Sequence, residues 1–208
     1  VSAVTVNAPH APAPAMVVDG VRRLKIVIGG GFGVGKTTAV GAVSEIEPLC
    51  TEETMTVAGR HTDSLHGVPE KTRTTVALDF GRLTLDPRLE LFLFGMTGQD
   101  RFKELWDEFA RGAVGAVVLA DTRRLADSFD VINFAEYNRL PFVVAVNKFP
   151  DARRYRLAAV RDALGVGANV PVVACDARER ASVASVLLTL VDHVQSQLPR
   201  PLSPLDTR

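Results

Sequence analysis

Eight consecutive residues carry the strongest chemical signal in this chain: Gly30-Gly31-Phe32-Gly33-Val34-Gly35-Lys36-Thr37. They match the spacing G-x-x-x-x-G-K-[ST]. Glycines let a backbone curl until several N–H groups converge on one point, which suits a phosphate. A helix starting directly afterwards adds the partial positive charge of its N-terminus. Lys36 is then placed to reach the β- and γ-phosphates, and the Thr37 hydroxyl to ligate Mg²⁺. Gly31, Phe32, Gly33, Val34, Gly35 and Thr38 complete the expected phosphate contacts. A glycine-rich turn without a ligand is the alternative, but an apolar run enters this loop and a helical pattern leaves it.

Further polar residues recur where apolar runs end. Thr75 opens the run Thr75-Val76-Ala77-Leu78-Asp79-Phe80, and Gly98-Gln99 follow the run that ends at Gly95. Asn147-Lys148 ends a third run, and Cys175-Asp176-Ala177-Arg178 a fourth. Asp121 ends another and reads as a cap for the following turn. His10, His61, His66 and His193 form no cluster of metal-ligand spacing.

The elements that must position these residues alternate. Strands are expected at Leu24 to Gly29, Thr75 to Leu85, Leu89 to Phe94, Ala116 to Ala120, Phe142 to Val146 and Val170 to Ala174. Helices are expected at Gly35 to Ile46, Asp100 to Ala113, Leu125 to Asn138, Arg153 to Leu164 and Arg178 to Gln197. Asp86-Pro87 suits a turn, so the second and third strands make an antiparallel hairpin. Residues 47 to 73 are polar and read as irregular. The pattern specifies a three-layer α/β fold with a mostly parallel six-stranded sheet and one antiparallel hairpin strand. Ligands bind such sheets beyond the carboxyl ends of the strands, where all these polar residues fall. Residues 1–19, rich in Ala and Pro, read as a flexible arm. Residues 20–198 read as the domain and 199–208 as a Pro-rich tail.

Composition excludes little but points one way. The 208 residues carry 24 basic and 24 acidic side chains. A balanced surface gives no electrostatic reason to expect nucleic acid or an anionic membrane as main partner. No apolar run is long enough to span a bilayer. The two cysteines, Cys50 and Cys175, have no redox or metal spacing, and a reduced, cytoplasmic setting is the default.

In order and spacing these segments resemble the small Ras-like P-loop GTPases over residues 22 to 198. Thr75 to Phe80 is similar to their first switch and the strand after it. Leu93-Phe94-Gly95-Met96-Thr97-Gly98-Gln99-Asp100-Arg101-Phe102 is similar to the second switch, Asn147-Lys148 to the N-K-x-D element, and Cys175-Asp176-Ala177 to the base loop. Within that superfamily the chain resembles bacterial MglA-like proteins, and more closely the actinobacterial GTPases encoded in conservon operons. GGFGVGKTT, TTVALDFG and the helix opening at Asp176-Ala177-Arg178-Glu179-Arg180 carry that closer likeness.

The resemblance implies a GTP/GDP switch with Mg²⁺ that signals to protein effectors and regulators, Roadblock-type and histidine-kinase-like proteins among them. It also allows partners to recruit a cytoplasmic protein to a membrane. It makes Thr37 and Thr75 metal ligands, gives the Gly98 N–H to the γ-phosphate, and sets Gln99 to orient the attacking water. It makes Arg73 a candidate internal arginine finger. Asn147, Lys148, Asp151, Asp176, Ala177 and Arg178 become the base site.

Three departures bear on this. Where the family carries a magnesium-supporting Asp this chain has Gly95, and Asp79 on the neighbouring strand is the candidate substitute. Phe32 is bulky at a normally small position, which implies slow hydrolysis. Asp151 comes one residue late after Asn147-Lys148-Phe149-Pro150, so it either swings in to read guanine or caps the next helix. A nucleotide-binding scaffold with little hydrolysis is the alternative function. A metabolic kinase or ATPase lacks support, because residues 47 to 74 supply only Arg60 and Arg73 for a substrate lid.

Overall fold

A computed structural model describes residues 16–18, 20–47, 49–56, 73–96 and 106–197. The strands are β1 (Met16–Val18), β2 (Val21–Gly29), β3 (Leu49–Thr56), β4 (Arg73–Asp86), β5 (Leu89–Gly95), β6 (Ala113–Ala120), β7 (Phe142–Asn147) and β8 (Val172–Cys175). The helices are α1 (Lys36–Val43), α2 (Trp106–Ala110), α3 (Phe129–Tyr137), α4 (Leu157–Leu164) and α5 (Arg180–Gln197). A 3₁₀ turn, Leu125–Ser128, leads into α3.

The sheet runs β3-β4-β5-β2-β6-β7-β8. From β5 to β8 all neighbours are parallel, whereas β4 is antiparallel to both β5 and β3. The six expected strands and the hairpin are all present.

Two short strands join them. β1 lies inside the stretch read as an arm and pairs antiparallel with Val21 to Arg23, below the point where β6 begins beside β2. β3 lies in the stretch read as irregular. Its residues, Leu-Cys-Thr-Glu-Glu-Thr-Met-Thr, have no apolar alternation. Pairing with β4 makes them a strand, as tertiary context often does.

Period-two alternation splits the core. Ile26, Ile28, Leu91, Leu93, Val117 and Leu119 face one layer, formed by α1 and α5 with Val40, Val43, Leu187 and Leu190. Val27, Ala116, Val118 and Val144 face the other, with Val131 and Ile132 of α3 and Val160 and Leu164 of α4. All eight residues of β6 are buried, as expected of a central parallel strand covered on both sides.

Helix boundaries differ from the expected ones. The helix expected to reach Ala113 ends at Ala110, because Gly112 turns the chain at φ +79° and Ala113 already belongs to β6. α4 begins at Leu157 rather than near Arg153. The preceding segment is tied across the end of β6 instead: the Arg153 carbonyl accepts from Thr122 Oγ1 at 3.2 Å, and the Asp151 carboxylate is held by Arg123. Asp151 therefore does not cap α4. The 3₁₀ turn replaces the first turn of the helix expected from Leu125.

Candidate functional site

The carboxyl ends of β2, β5, β6, β7 and β8 gather along one edge, and the chemistry-bearing residues meet there. The loop after β2 needs its glycines. Gly30 has φ +144°, and a Cβ there would collide with the Leu119 carbonyl. The loop delivers Lys36 as the first residue of α1. Its ammonium donates to the carbonyls of Gly30 and Gly31 at 2.9 and 2.7 Å. Burial lowers the Lys36 pKa from the ordinary 10.5 to about 8, with the negative charge of Asp79 working against the shift.

One residue on, Thr37 Oγ1 donates to Asp79 Oδ2 at 2.6 Å. Asp79 on β4 stands directly opposite Gly95 on β5 in the antiparallel ladder. A Cβ at Gly95 would stand 3.0 Å from both Asp79 Cβ and Oδ2. The missing side chain on β5 thus leaves the space that the β4 carboxylate occupies. A hydroxyl and a carboxylate oxygen in contact are a hard-oxygen donor pair. Mg²⁺ commonly uses one or two protein oxygens alongside phosphate and water, so the residues fit that ion.

Asn147 joins the phosphate loop to the loop after β8. It is 6% exposed. Its Nδ2 donates to the Val34 carbonyl at 2.9 Å, and its Oδ1 accepts from the Ala177 N–H at 3.0 Å. The Lys148 N–H donates to the Cys175 carbonyl at 2.8 Å. Between the loops lies a cleft of about 160 Å³ lined by Gly33, Gly35, Thr38, Asn147, Lys148, Ala177 and Arg178, with Phe149 and Pro150. Asp176 is paired with Arg178, whose guanidinium hydrogen bonds lower its pKa to about 2. The Asp176 N–H donates to Ser182 Oγ at 2.8 Å.

Among the remaining expected residues, Asp151 and Phe32 do not line this cleft. Asp151 lies outside its lining, with both carboxylate oxygens taking Arg123 Nη1 at 2.7 and 2.8 Å. The hydrogen bonds from Arg123 hold the Asp151 carboxyl below the usual carboxylate range. Phe32 is 67% exposed. Arg73 and Thr75 lie on β4, their backbones opposite Thr56 and Thr54 of β3. Gly98 and Gln99 lie outside the described residues.

Two arginines escaped the reading of the sequence. Arg123 Nε and Nη2 donate to Asp121, which is almost fully buried, while the Arg123 guanidinium lies 3.9 Å from the Phe149 ring centroid. Burial alone would raise the Asp121 pKa, but the Arg123 side-chain and backbone hydrogen bonds outweigh it and bring it below normal. Arg124 Nη2 donates to the Phe32 carbonyl at 2.6 Å. The available signal was Asp121-Thr122-Arg123-Arg124 at the end of a buried strand on the ligand edge.

Comparison with known proteins agrees with this geometry. The chain is 23% identical to the Ras-related protein Rab-1C of Dictyostelium discoideum, over 85% of this chain and 83% of that protein. It is 23% identical to the Ras-related protein SEC4 of Saccharomyces cerevisiae, over 60% of this chain and 62% of that one. Among solved structures, the G domain of the T. maritima FeoB iron transporter superposes with a TM-score of 0.57 at 17% identity, covering 83% of this chain and 99% of that domain. The architecture is therefore that of a G domain. Residues 27–197 match the profile of a family described as conserved hypothetical ATP binding protein, and with most of its length inside that match the chain belongs to this family.

Proposed function

We propose that this protein is a guanine-nucleotide switch of the small Ras-like kind, binding GTP and GDP with Mg²⁺, hydrolysing GTP slowly and signalling to protein partners. The observation that carries the reading is Asn147, which ties the phosphate loop to the Ala177 backbone across the cleft. A general phosphate site does not need that tie. A site that reads a base while gripping its phosphates does. The Ras-related relatives support the same reading.

In this reading the backbone N–H groups of residues 31–37 and the Lys36 ammonium hold the phosphates. Thr37 and Asp79 would hold the magnesium ion, with Thr75 as a further ligand. When bound, the ion neutralises charge on the β- and γ-phosphates. Gly98 donates to the γ-phosphate, Gln99 orients the water, and Arg73 is the candidate finger. Phe32 crowds the approach of water or an incoming arginine, which makes turnover slow. MglA-like and conservon-type partnerships belong to this proposal, as does recruitment to a membrane by a partner. No helix among the described residues is long and apolar enough to cross one.

The family's description favours a second reading, a P-loop protein that binds ATP. The withdrawal of Asp151 to Arg123 favours it too, because that carboxylate is the group that would distinguish guanine. One experiment separates the two. GDP, GTP, ADP and ATP compete against a fluorescent nucleotide with and without Mg²⁺, on the wild type and on Asp79→Ala, followed by single-turnover hydrolysis of bound GTP. We expect guanine to be preferred, magnesium dependence to be lost in Asp79→Ala, and hydrolysis slower than about one per minute. Equal binding of guanine and adenine nucleotides would replace the switch with the ATP-binding reading. An unchanged magnesium titration would remove Asp79 from the site, and faster hydrolysis would remove the crowding assigned to Phe32.

A further inference from the structure

Arg123 sits at the junction of three things the nucleotide site depends on. It arises three residues after β6 ends, on the sheet's ligand edge. Its Nε and Nη2 are anchored on buried Asp121, and the Asp121 carboxylate also accepts the Arg123 backbone N–H at 2.9 Å. Its flat face rests on Phe149, which lines the base cleft. Its remaining nitrogen, Nη1, takes both oxygens of Asp151.

The anchored and released ends of this arrangement differ. Asp121 is buried and cannot leave its partner without stranding a charge. The Asp151 side chain is 68% exposed, and its ion pair is of the weak, salt-screened kind. Asp151 also follows Pro150 directly, and Pro150 lines the cleft. The carboxylate is therefore a short loop movement from the cleft and is held away by one exposed ion pair.

We propose that Arg123 is a specificity-determining latch: it withholds the Asp151 carboxylate from the base cleft, and its release lets Asp151 select guanine. The inference rests on the guanine-nucleotide reading above. Latched, no carboxylate among the described residues lines the cleft beside the Ala177 and Arg178 loop. Unlatched, Asp151 accepts from guanine N1–H and the exocyclic amine, a pair adenine does not present. Sites built on such paired bonds discriminate far more strongly than sites without them. The wild-type preference is then an average over latched and unlatched forms.

The test is the ratio of GDP to ADP affinity in Arg123→Lys, which keeps a positive charge beside Asp121 but loses the fork that holds both acids. We expect the ratio to rise about tenfold or more over wild type, and Asp151→Ala in the same background to abolish the rise. A second measurement needs no substitution. Raising KCl from 0.05 to 0.5 M screens the exposed Arg123–Asp151 pair, and the wild-type ratio should climb. Common phosphate effects cancel because both ligands are diphosphates. A guanine preference that stays the same or falls in Arg123→Lys, or fails to climb with salt, overturns the latch while leaving the guanine reading intact. If neither wild type nor Arg123→Lys prefers guanine at either salt concentration, the guanine reading itself fails.

Discussion

Lys36 is an ammonium folded back on its own loop, with two carbonyls standing where phosphate oxygens would otherwise draw it. Its pKa near 8 has two consequences of opposite sign. In the empty protein, keeping the charge buried costs stability below pH 8. That cost is relieved as pH rises toward 10.5, where an unfolded lysine titrates. Phosphate binding requires the charged form. Above pH 8 the empty protein has lost the proton, so binding must recover it. GDP affinity should fall about twofold from pH 7 to 8 and about fivefold from pH 8 to 9, as one linked proton with a pKa of about 8 requires. Fluorescent GDP titrations at these three pH values measure it, and a flat profile would mean that Lys36 stays charged throughout. The lysine and its loop were readable in the sequence because the spacing itself is the mechanism. The acceptors Lys36 uses when no phosphate is present were not, since backbone carbonyls leave no mark in a sequence.

Elements are held together at this edge by side chains that bond to backbone. Asn147, at the end of β7, satisfies a carbonyl before α1 and an N–H before α5. Asn147→Ala leaves both partners buried without a bond, each at a cost of about 1–3 kcal/mol. We expect a loss of about 2–4 kcal/mol in urea unfolding, with an unchanged slope, together with loss of nucleotide binding. A loss below about 0.5 kcal/mol would mean that water replaces the amide at both ends. The position of Asn147 at a strand end was legible. β3 was not, because Glu52, Glu53 and three threonines say nothing without β4 beside them. The late start of α4 was equally hidden: it follows from Thr122 and Arg123 reaching across more than two dozen residues to hold the segment before it. Short-range pattern cannot register such bonds.

At the scale of the whole molecule, one sheet separates two cores. Leu187 belongs to the α1–α5 side and Ile132 to the α3–α4 side, both almost fully buried. Leu187→Ala and Ile132→Ala should each cost about 2–5 kcal/mol. The double variant should match their sum within about 0.5 kcal/mol, because the two sites share no partner across the sheet. A larger discrepancy in chemical unfolding would show that the layers communicate through the strands. This architecture was legible because it depends on periodicity: the runs Ile26 to Ile28, Val117 to Leu119 and Val143 to Ala145 alternate sides as strands must. Its edges were less so, since β1 and β3 join the sheet through backbone pairing with β2 and β4 that their own sequences do not announce.

Moving a carboxylate from β5 to Asp79 on β4 also changes what its position depends upon. A carboxylate at position 95 would stand on the last residue of β5, next to the segment that follows, whereas Asp79 lies inside β4, paired with β3 on one side and β5 on the other. Rearrangements beyond Met96 can proceed without carrying this oxygen away from Thr37. The vulnerability lies in strand register instead, since a slip of one residue between β4 and β5 would turn Asp79 to the opposite face. In the proposed site, retention of the metal ion would then follow the β4–β5 ladder rather than the segment beyond Met96.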